Sequence, residues 1–261
     1  MKLDIILRTH DQSNVHTDRE RYCGMDKTTL ITGCLTSLVK AANMVDNVEI
    51  QFKILDDHSS EQLIQNIYSI FEKSKYPMEM YRMAEPGYNY SALKQFEFVR
   101  DSDADLVYSV EDDYLHYPTA IVEMLECHDL FTKKSGQEVV LFPFDMPDDY
   151  VPPWMAPCMV VHGSRRHWKT GVWTTNTFFL RPQVLRDHWE HFEKLAKQYS
   201  HTYEDGKEHI HEGNTICNVW KEHAVRFSPI PSIALHMQFD TQKDPYIPWE
   251  MWWEHFSKFD E

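Results

Sequence analysis

Along this chain, short bulky apolar runs alternate with longer stretches in which apolar residues recur at helical spacing. The run at 3–7 (Leu-Asp-Ile-Ile-Leu) stops at Arg8-Thr9-His10-Asp11 and predicts a first strand followed by a loop. Asp26 is placed to cap a helix whose stripe of Leu30, Ile31, Cys34, Leu35, Leu38 and Val39 fits one buried face. Residues 48–55 begin in alternation and end apolar, a second strand, and Asp56-Asp57-His58-Ser59 follows. Ser59 with Gln62 forms a capping-box pattern for a helix carrying Leu63, Ile64, Ile67, Ile70 and Phe71. A short third strand is expected at 81–83, a turn at Pro86-Gly87, and a helix over 90–99 with Ala92, Leu93, Phe96 and Val99 inward.

Leu106, Val107, Tyr108 and Val110 then form a compact β-prone run that reads as a buried strand, and Glu111-Asp112-Asp113 follow at once. A helix is expected from about Tyr117, with Pro118 in its first turn and Ile121, Met124, Leu125 and His128 on one face. Residues 139–144 predict a strand, 145–157 a Pro- and acid-rich loop, and 170–180 a β-rich segment. Pro182 opens a long helix through about Tyr199, and His211-Glu212-Gly213-Asn214 opens another with Ile216, Val219 and Trp220. A Pro-punctuated strand over 227–235 ends at His236, and the tail with Trp249, Trp252 and Trp253 is too aromatic to be left unpacked. Strands alternating with helices predict an α/β fold with a mostly parallel central sheet flanked by helices.

Composition narrows the classes. At 261 residues, with 42% hydrophobic and 26% charged, the chain suits one large domain or two closely joined halves. Its net charge of −15 repels a phosphate backbone, so general nucleic-acid or anionic-membrane binding is disfavoured. The five cysteines are scattered and form no Cys-x-x-Cys pair, which gives neither a disulfide framework nor a zinc knuckle. No segment approaches the ~20 apolar residues of a membrane span, and the whole reads as a cytoplasmic protein.

The acids carry the chemistry. Glu111, Asp112 and Asp113 cannot be buried unpaired, because a desolvated carboxylate is costly unless a cation or donors meet it. At the carboxyl end of a central strand they sit where open α/β sheets bind ligands, and a hard divalent cation on a diphosphate would neutralise them. An acidic, solvated turn ahead of a helix is the plainer alternative. Asp56 lies on a strand end and suits ligand binding, whereas Asp57 also suits a helix start. The one concentrated basic stretch contains Arg165, Arg166 and Lys169: either a solvated loop, or a mobile segment that closes over a diphosphate. The loop at 8–11 has no glycine, which argues against a P-loop or a dinucleotide fingerprint.

The order of these pieces resembles the GT-A family of nucleotide-sugar glycosyltransferases over roughly residues 3–236. The resemblance implies a nucleotide-binding half at 1–116, an acceptor-binding half at 117–236 and a Trp-rich tail at 237–261 within a single domain. By its motifs, Arg8, Thr9, Asp56 and Asp57 would line the nucleotide pocket. Glu111-Asp112-Asp113 would be the acidic metal motif, with Asp113 and His236 holding Mn²⁺ or Mg²⁺. Glu212 would be the general base of an inverting transfer. Where many members carry Glu-Asp this chain has His211-Glu212, and the basic residue usual one turn further on is Asn218. The implied donor is a nucleotide-sugar, UDP-sugar by family default. The implied acceptor is a hydroxyl on a glycan, lipid-linked sugar, protein or small molecule, with modified DNA disfavoured by the charge. Trp154, Trp168 and Trp173 are candidates for sugar stacking or for core. Two rivals stay open: a sugar-phosphate nucleotidyltransferase, and a non-catalytic nucleotide- or carbohydrate-binding protein.

Overall fold

The computed structural model describes residues 1–12, 24–152, 155–174, 176–199, 209–237, 244 and 247–259. The first half of the chain contributes β1 (Lys2–Thr9), α1 (Lys27–Asn43), β2 (Glu49–Asp56), α2 (Glu61–Phe71), β3 (Met78–Arg82), α3 (Tyr88–Arg100) and β4 (Leu106–Glu111). The middle adds β5 (Tyr114–His116), α4 (Ala120–Ser135), β6 (Val139–Leu141), β7 (Val160–His162), β8 (His167–Gly171) and β9 (Phe178–Leu180). The rest comprises α5 (Pro182–Asp187), α6 (Trp189–Gln198), α7 (Ile216–Glu222), β10 (Val225–Ile230), β11 (Ala234–His236) and α8 (Trp249–Phe256).

Among the described residues, nine strands form one sheet in the order β3-β2-β1-β4-β9-β6-β10-β8-β7. Only β9 and β8 run against the rest, so the sheet is mostly parallel. β5 and β11 make a separate antiparallel pair. The period-2 geometry of β1 explains the two cores. Leu3, Ile5 and Leu7 face one layer, where α1, α2 and α4 cover the sheet, while Ile6 faces the other, with Leu55, Val107 and the apolar residues of α3, α6 and α7. Burial on both faces is why the central strands read as apolar runs rather than as a clean alternation. No helix among the described residues is long and apolar enough to cross a membrane.

Several local expectations are corrected. Ser60, not Ser59, caps α2: its hydroxyl accepts from the Leu63 N–H at 3.2 Å, while the Ser59 N–H is taken by Asp56 at 3.1 Å. The third strand begins earlier, at Met78, because it pairs with β2 over five positions. Pro118 precedes α4 instead of standing in its first turn. The strand at 139 stops at Leu141. The long helix from Pro182 is two, interrupted at His188, whose φ of −124° and ψ of 27° are not helical. Arg165 and Arg166 lie in the loop that joins β7 to β8, as expected, while Lys169 lies on β8. The Trp-rich tail does pack back, with α8 against α1 and the Trp253 ring over Gly33.

Candidate active site

Parallel register aligns the polar strand ends. Thr9 lies opposite Asp56 on β2, Arg8 opposite Glu111 on β4, and Asp56 opposite Arg82 on β3. Four strands therefore end together, and their carboxyl edge carries three acids or cations singled out above: Arg8, Asp56 and Glu111.

Asp56 is fully buried; one oxygen holds the Ser59 N–H, and Arg82 Nε lies 3.3 Å from the other. Asp57 accepts from the Gly87 N–H at 3.2 Å, which ties the turn before α3 to this edge. The Thr9 hydroxyl is buried without a hydrogen-bond partner. Arg8 lies 3.5 Å from Glu111, 4.8 Å over the Tyr88 ring and 3.4 Å from the Ser91 hydroxyl. Asn176 donates to the Tyr88 hydroxyl at 2.8 Å and to Glu111 at 3.4 Å, and the Thr177 hydroxyl accepts from the Glu111 N–H at 3.2 Å. Burial pushes the Tyr88 phenol up to about 12, the nearby Arg8 charge offsetting part of the effect.

The next two acids sit just beyond β4. Asp112 accepts from the His10 N–H at 2.9 Å. Burial, reinforced by the neighbouring Asp113 charge and opposed by Lys27, raises its carboxyl to about 6. Asp113 is joined to a residue from the far end of the chain because β11 pairs with β5 and sets His236 opposite Tyr114. The Met237 N–H donates to the Asp113 carbonyl at 2.7 Å. Asp113 Oδ2 and His236 Nε2 are 3.2 Å apart, and the imidazole stacks on Tyr114 with centroids 4.8 Å apart. Burial works against both charges, yet each group's attraction for the other outweighs it: the Asp113 carboxyl falls below its ordinary value and the His236 imidazole rises above its own.

Asp113 Oδ1 is buried without a hydrogen-bond partner, an orphaned acceptor that a cation would satisfy. Two ligands bound at about 2.1 Å and at right angles lie about 3 Å apart, so the Asp113–His236 spacing fits one octahedral ion. The carboxylate suits Mn²⁺ or Mg²⁺, and the imidazole beside it favours the softer Mn²⁺ over Mg²⁺, which takes oxygen ligands. Among the described residues no three His, Cys, Asp or Glu groups converge to form a site by themselves. An ion held by this pair would need its remaining ligands from water or a bound molecule.

Glu212 opens a short 3-10 turn, Glu212–Asn214, fixed by a reciprocal cap in which His211 Nδ1 accepts from the Gly213 N–H at 3.0 Å and the His211 N–H donates to Asn214 at 3.0 Å. Burial raises its carboxyl, and the Glu111 charge adds to the rise. A Cβ on Gly213 would lie 2.7 Å from the Trp173 ring, so Trp173 packs against the residue that follows Glu212 in the chain.

In this structure the basic stretch is engaged with carboxylates of the chain itself. Arg165 lies 3.4 Å from Glu126. Arg166 grips Glu123 with two nitrogens at 2.7 and 2.9 Å and donates to the Pro231 and Ser232 carbonyls. Lys169 is buried between Asp145 at 2.7 Å and Asp149 at 3.1 Å. A cation already paired and desolvated in this way leaves its carboxylates unpaired if it moves away. Trp168 is fully buried core against Phe131, and Trp154 lies outside the described residues.

Sequence reasoning missed Tyr88, Asn176, Thr177 and Asp11. Asp11 accepts from the Ser60 N–H at 2.8 Å and the Thr28 hydroxyl at 2.8 Å, linking the loop after β1 to the starts of α1 and α2. Neutral Tyr, Asn and Thr have no spacing signal, and only the β9 approach beside β4 brings Asn176 and Thr177 to Glu111.

No protein-family model and no curated protein matches this chain. Among solved structures, the crystal structure of S. aureus TarS is similar at 14% identity and a TM-score of 0.50, covering 88% of this chain and 36% of that one. A crystal structure of S. aureus TarS 1-349 gives 17% identity and 0.49, over 88% of this chain and 60% of that one. A mannosyltransferase from Pyrobaculum calidifontis in complex with GDP-Man and Mn²⁺ gives 10% and 0.43, over 71% and 46%. The chain thus spans less than two thirds of the structures it resembles, and the likeness is one of fold.

Proposed function

We propose that this chain is a metal-dependent glycosyltransferase that moves a sugar from a nucleotide diphosphate-sugar, a UDP-sugar by family default, to a hydroxyl with inversion. The contact between Asp113 and His236, 3.2 Å apart with a buried orphaned carboxylate oxygen beside it, carries the reading. An isolated acidic turn would not recruit an imidazole from a distant strand.

Asp113 and His236 would hold Mn²⁺ or Mg²⁺, which supplies positive charge against the diphosphate leaving group. Glu111 and Asp112 shape that corner: Glu111 is fixed by Arg8 and Asn176, and Asp112 fixes the His10 backbone. Thr9, with its free hydroxyl, and Asp56 and Asp57 with the backbone they hold, form the nucleotide side. Glu212 takes the acceptor proton. The acceptor oxygen bonds to the anomeric carbon as the bond to the diphosphate oxygen breaks, and that electron pair leaves with the diphosphate. A carboxylate with a raised pKa is a stronger base than an ordinary one, and a developing positive charge on the donor sugar faces an acidic corner.

Calorimetric titration with UDP, with and without Mn²⁺, tests the reading. Metal-dependent binding that disappears in Asp113→Ala supports it; binding that ignores both the metal and the substitution removes it. Analysis of products from a nucleotide-sugar with a hydroxyl acceptor, and separately from a nucleoside triphosphate with a sugar 1-phosphate, then separates the rivals. Free nucleoside diphosphate marks a transferase, pyrophosphate a nucleotidyltransferase, and no turnover a binding protein.

A further inference from the structure

At the starts of β6 and β10, beside the C-terminal end of α7, lies a cavity of about 780 Å³, within the range of small-molecule sites. Both strands run parallel to β4, so the cavity is at the sheet edge opposite Glu111, and neither Arg8 nor any acid of the candidate site lines it. Its floor holds an unmatched cation. Arg226 on β10 is fully buried, opposite Gly171 on β8 and Val140 on β6. A Cβ on Gly171 would lie 1.8 Å from Nη1, so the guanidinium lies directly over the glycine, 5.0 Å from the centre of the Phe142 ring. Nε, Nη1 and Nη2 all lack a hydrogen-bond acceptor. The Asp149 carboxylate stands 3.6 Å from Nη1, beyond hydrogen-bond length, and its same oxygen is 3.1 Å from Lys169. A buried guanidinium has five N–H donors and is costly to keep unless something supplies acceptors. Trp220 Nε1, on the wall that α7 forms, is another buried donor without one.

The surrounding groups set the charge and shape of what fits. Arg226 and Lys169 face Asp145 and Asp149, so the floor is neutral overall, and one added negative charge meets less repulsion from Asp149 than the two of a phosphate. The guanidinium fork matches a carboxylate through two parallel hydrogen bonds. At the mouth Lys221 and Glu222 are of opposite sign, and Glu138 is held by Arg181 at 3.0 Å. Trp173 and the uncharged run from Met155 to Met159 give flat and apolar walls for the body of a ligand.

We infer that this cavity is a second ligand site, separate from the nucleotide corner, and that it takes a small organic carboxylate whose carboxyl group meets Arg226. The ligand's oxygens supply the acceptors that Asp149 is too distant to provide, while Asp149 stays with Lys169. The inference does not depend on the glycosyltransferase reading. Calorimetry on the intact chain with benzoate, its neutral isostere benzamide and inorganic phosphate tests it. Saturable binding of benzoate is expected, with benzamide and phosphate weaker by about tenfold or more. Arg226→Met should weaken benzoate by about tenfold or more. Asp149→Asn removes the competing carboxylate while Lys169 keeps Asp145 at 2.7 Å, and should tighten benzoate by about threefold. UDP with Mn²⁺ should leave benzoate affinity unchanged. No benzoate binding, binding of benzamide or phosphate equal to it, or displacement of benzoate by UDP with Mn²⁺ overturns the inference. So does benzoate binding that ignores both substitutions. If Arg226→Met does not fold, Asp149→Asn decides alone: an unchanged or weaker benzoate affinity refutes the site.

Discussion

Asp113 Oδ2 and His236 Nε2 lie 3.2 Å apart because β11 pairs antiparallel with β5, the strand that starts one residue after the acidic motif. Removing either partner leaves the other's largely buried side chain unpaired and would take one donor from a bound cation. His236→Gln is expected to weaken Mn²⁺-dependent UDP binding by about 10- to 100-fold, and Asp113→Ala by at least as much. Calorimetry at fixed pH reads both; an unaltered affinity in His236→Gln would show that the imidazole serves only the fold.

Glu212→Gln is expected to lower turnover by about 10²- to 10⁴-fold with UDP and Mn²⁺ binding nearly intact. Retained turnover removes Glu212 from the mechanism.

The pH profile offers a separate check on the same residue. Burial, helped by the Glu111 charge, holds the Glu212 carboxyl above its ordinary 4.5. A base works only when deprotonated, so activity should be full above the raised value and fall as pH drops through it. Glu111→Gln removes the second cause and should move that acidic limb to lower pH. A limb that stays in place would mean that another group sets it.

Stability should also depend on pH through His116, which is fully buried with Nε2 2.8 Å from the Tyr108 hydroxyl. Burial lowers its imidazole from 6.5 to about 3. The folded state binds the proton more weakly than the unfolded chain, so stability is complete above pH 6.5 and declines as pH falls toward 3. His128, lowered to about 4 mainly by burial, acts in the same sense. Urea midpoints across this window should fall less steeply for His116→Gln than for the unsubstituted chain; parallel slopes would contradict the assignment.

Gly171→Ala is expected to destabilise by about 1–3 kcal/mol. A Cβ there would lie 1.8 Å from Arg226 Nη1, and Arg226 is fully buried over the Phe142 ring, with nowhere to retreat. Thermal unfolding measures the effect, and an unchanged midpoint would show that the guanidinium can shift.

The layered α/β fold was legible because its determinants are local: buried parallel strands need bulky apolar runs, and the helices between them need a stripe at a different period. Asp26 as the cap of α1 and the acids after β4 could be read directly, since a polar residue where an apolar run ends has few places to go. Ser60 in place of Ser59 and the break at His188 were not legible, because boundaries turn on a single residue's backbone angles.

The sequence by itself determined which residues end strands, and therefore that Arg8, Asp56 and Glu111 would share one edge once the strands ran parallel. Only the tertiary structure decided the rest: that His236 reaches Asp113, that Asn176 and Thr177 reach Glu111, and that Lys169 is spent on Asp145 and Asp149. Strand-end chemistry follows from neighbours in the chain, whereas these contacts depend on which strands lie side by side, and that is set by packing the whole sheet.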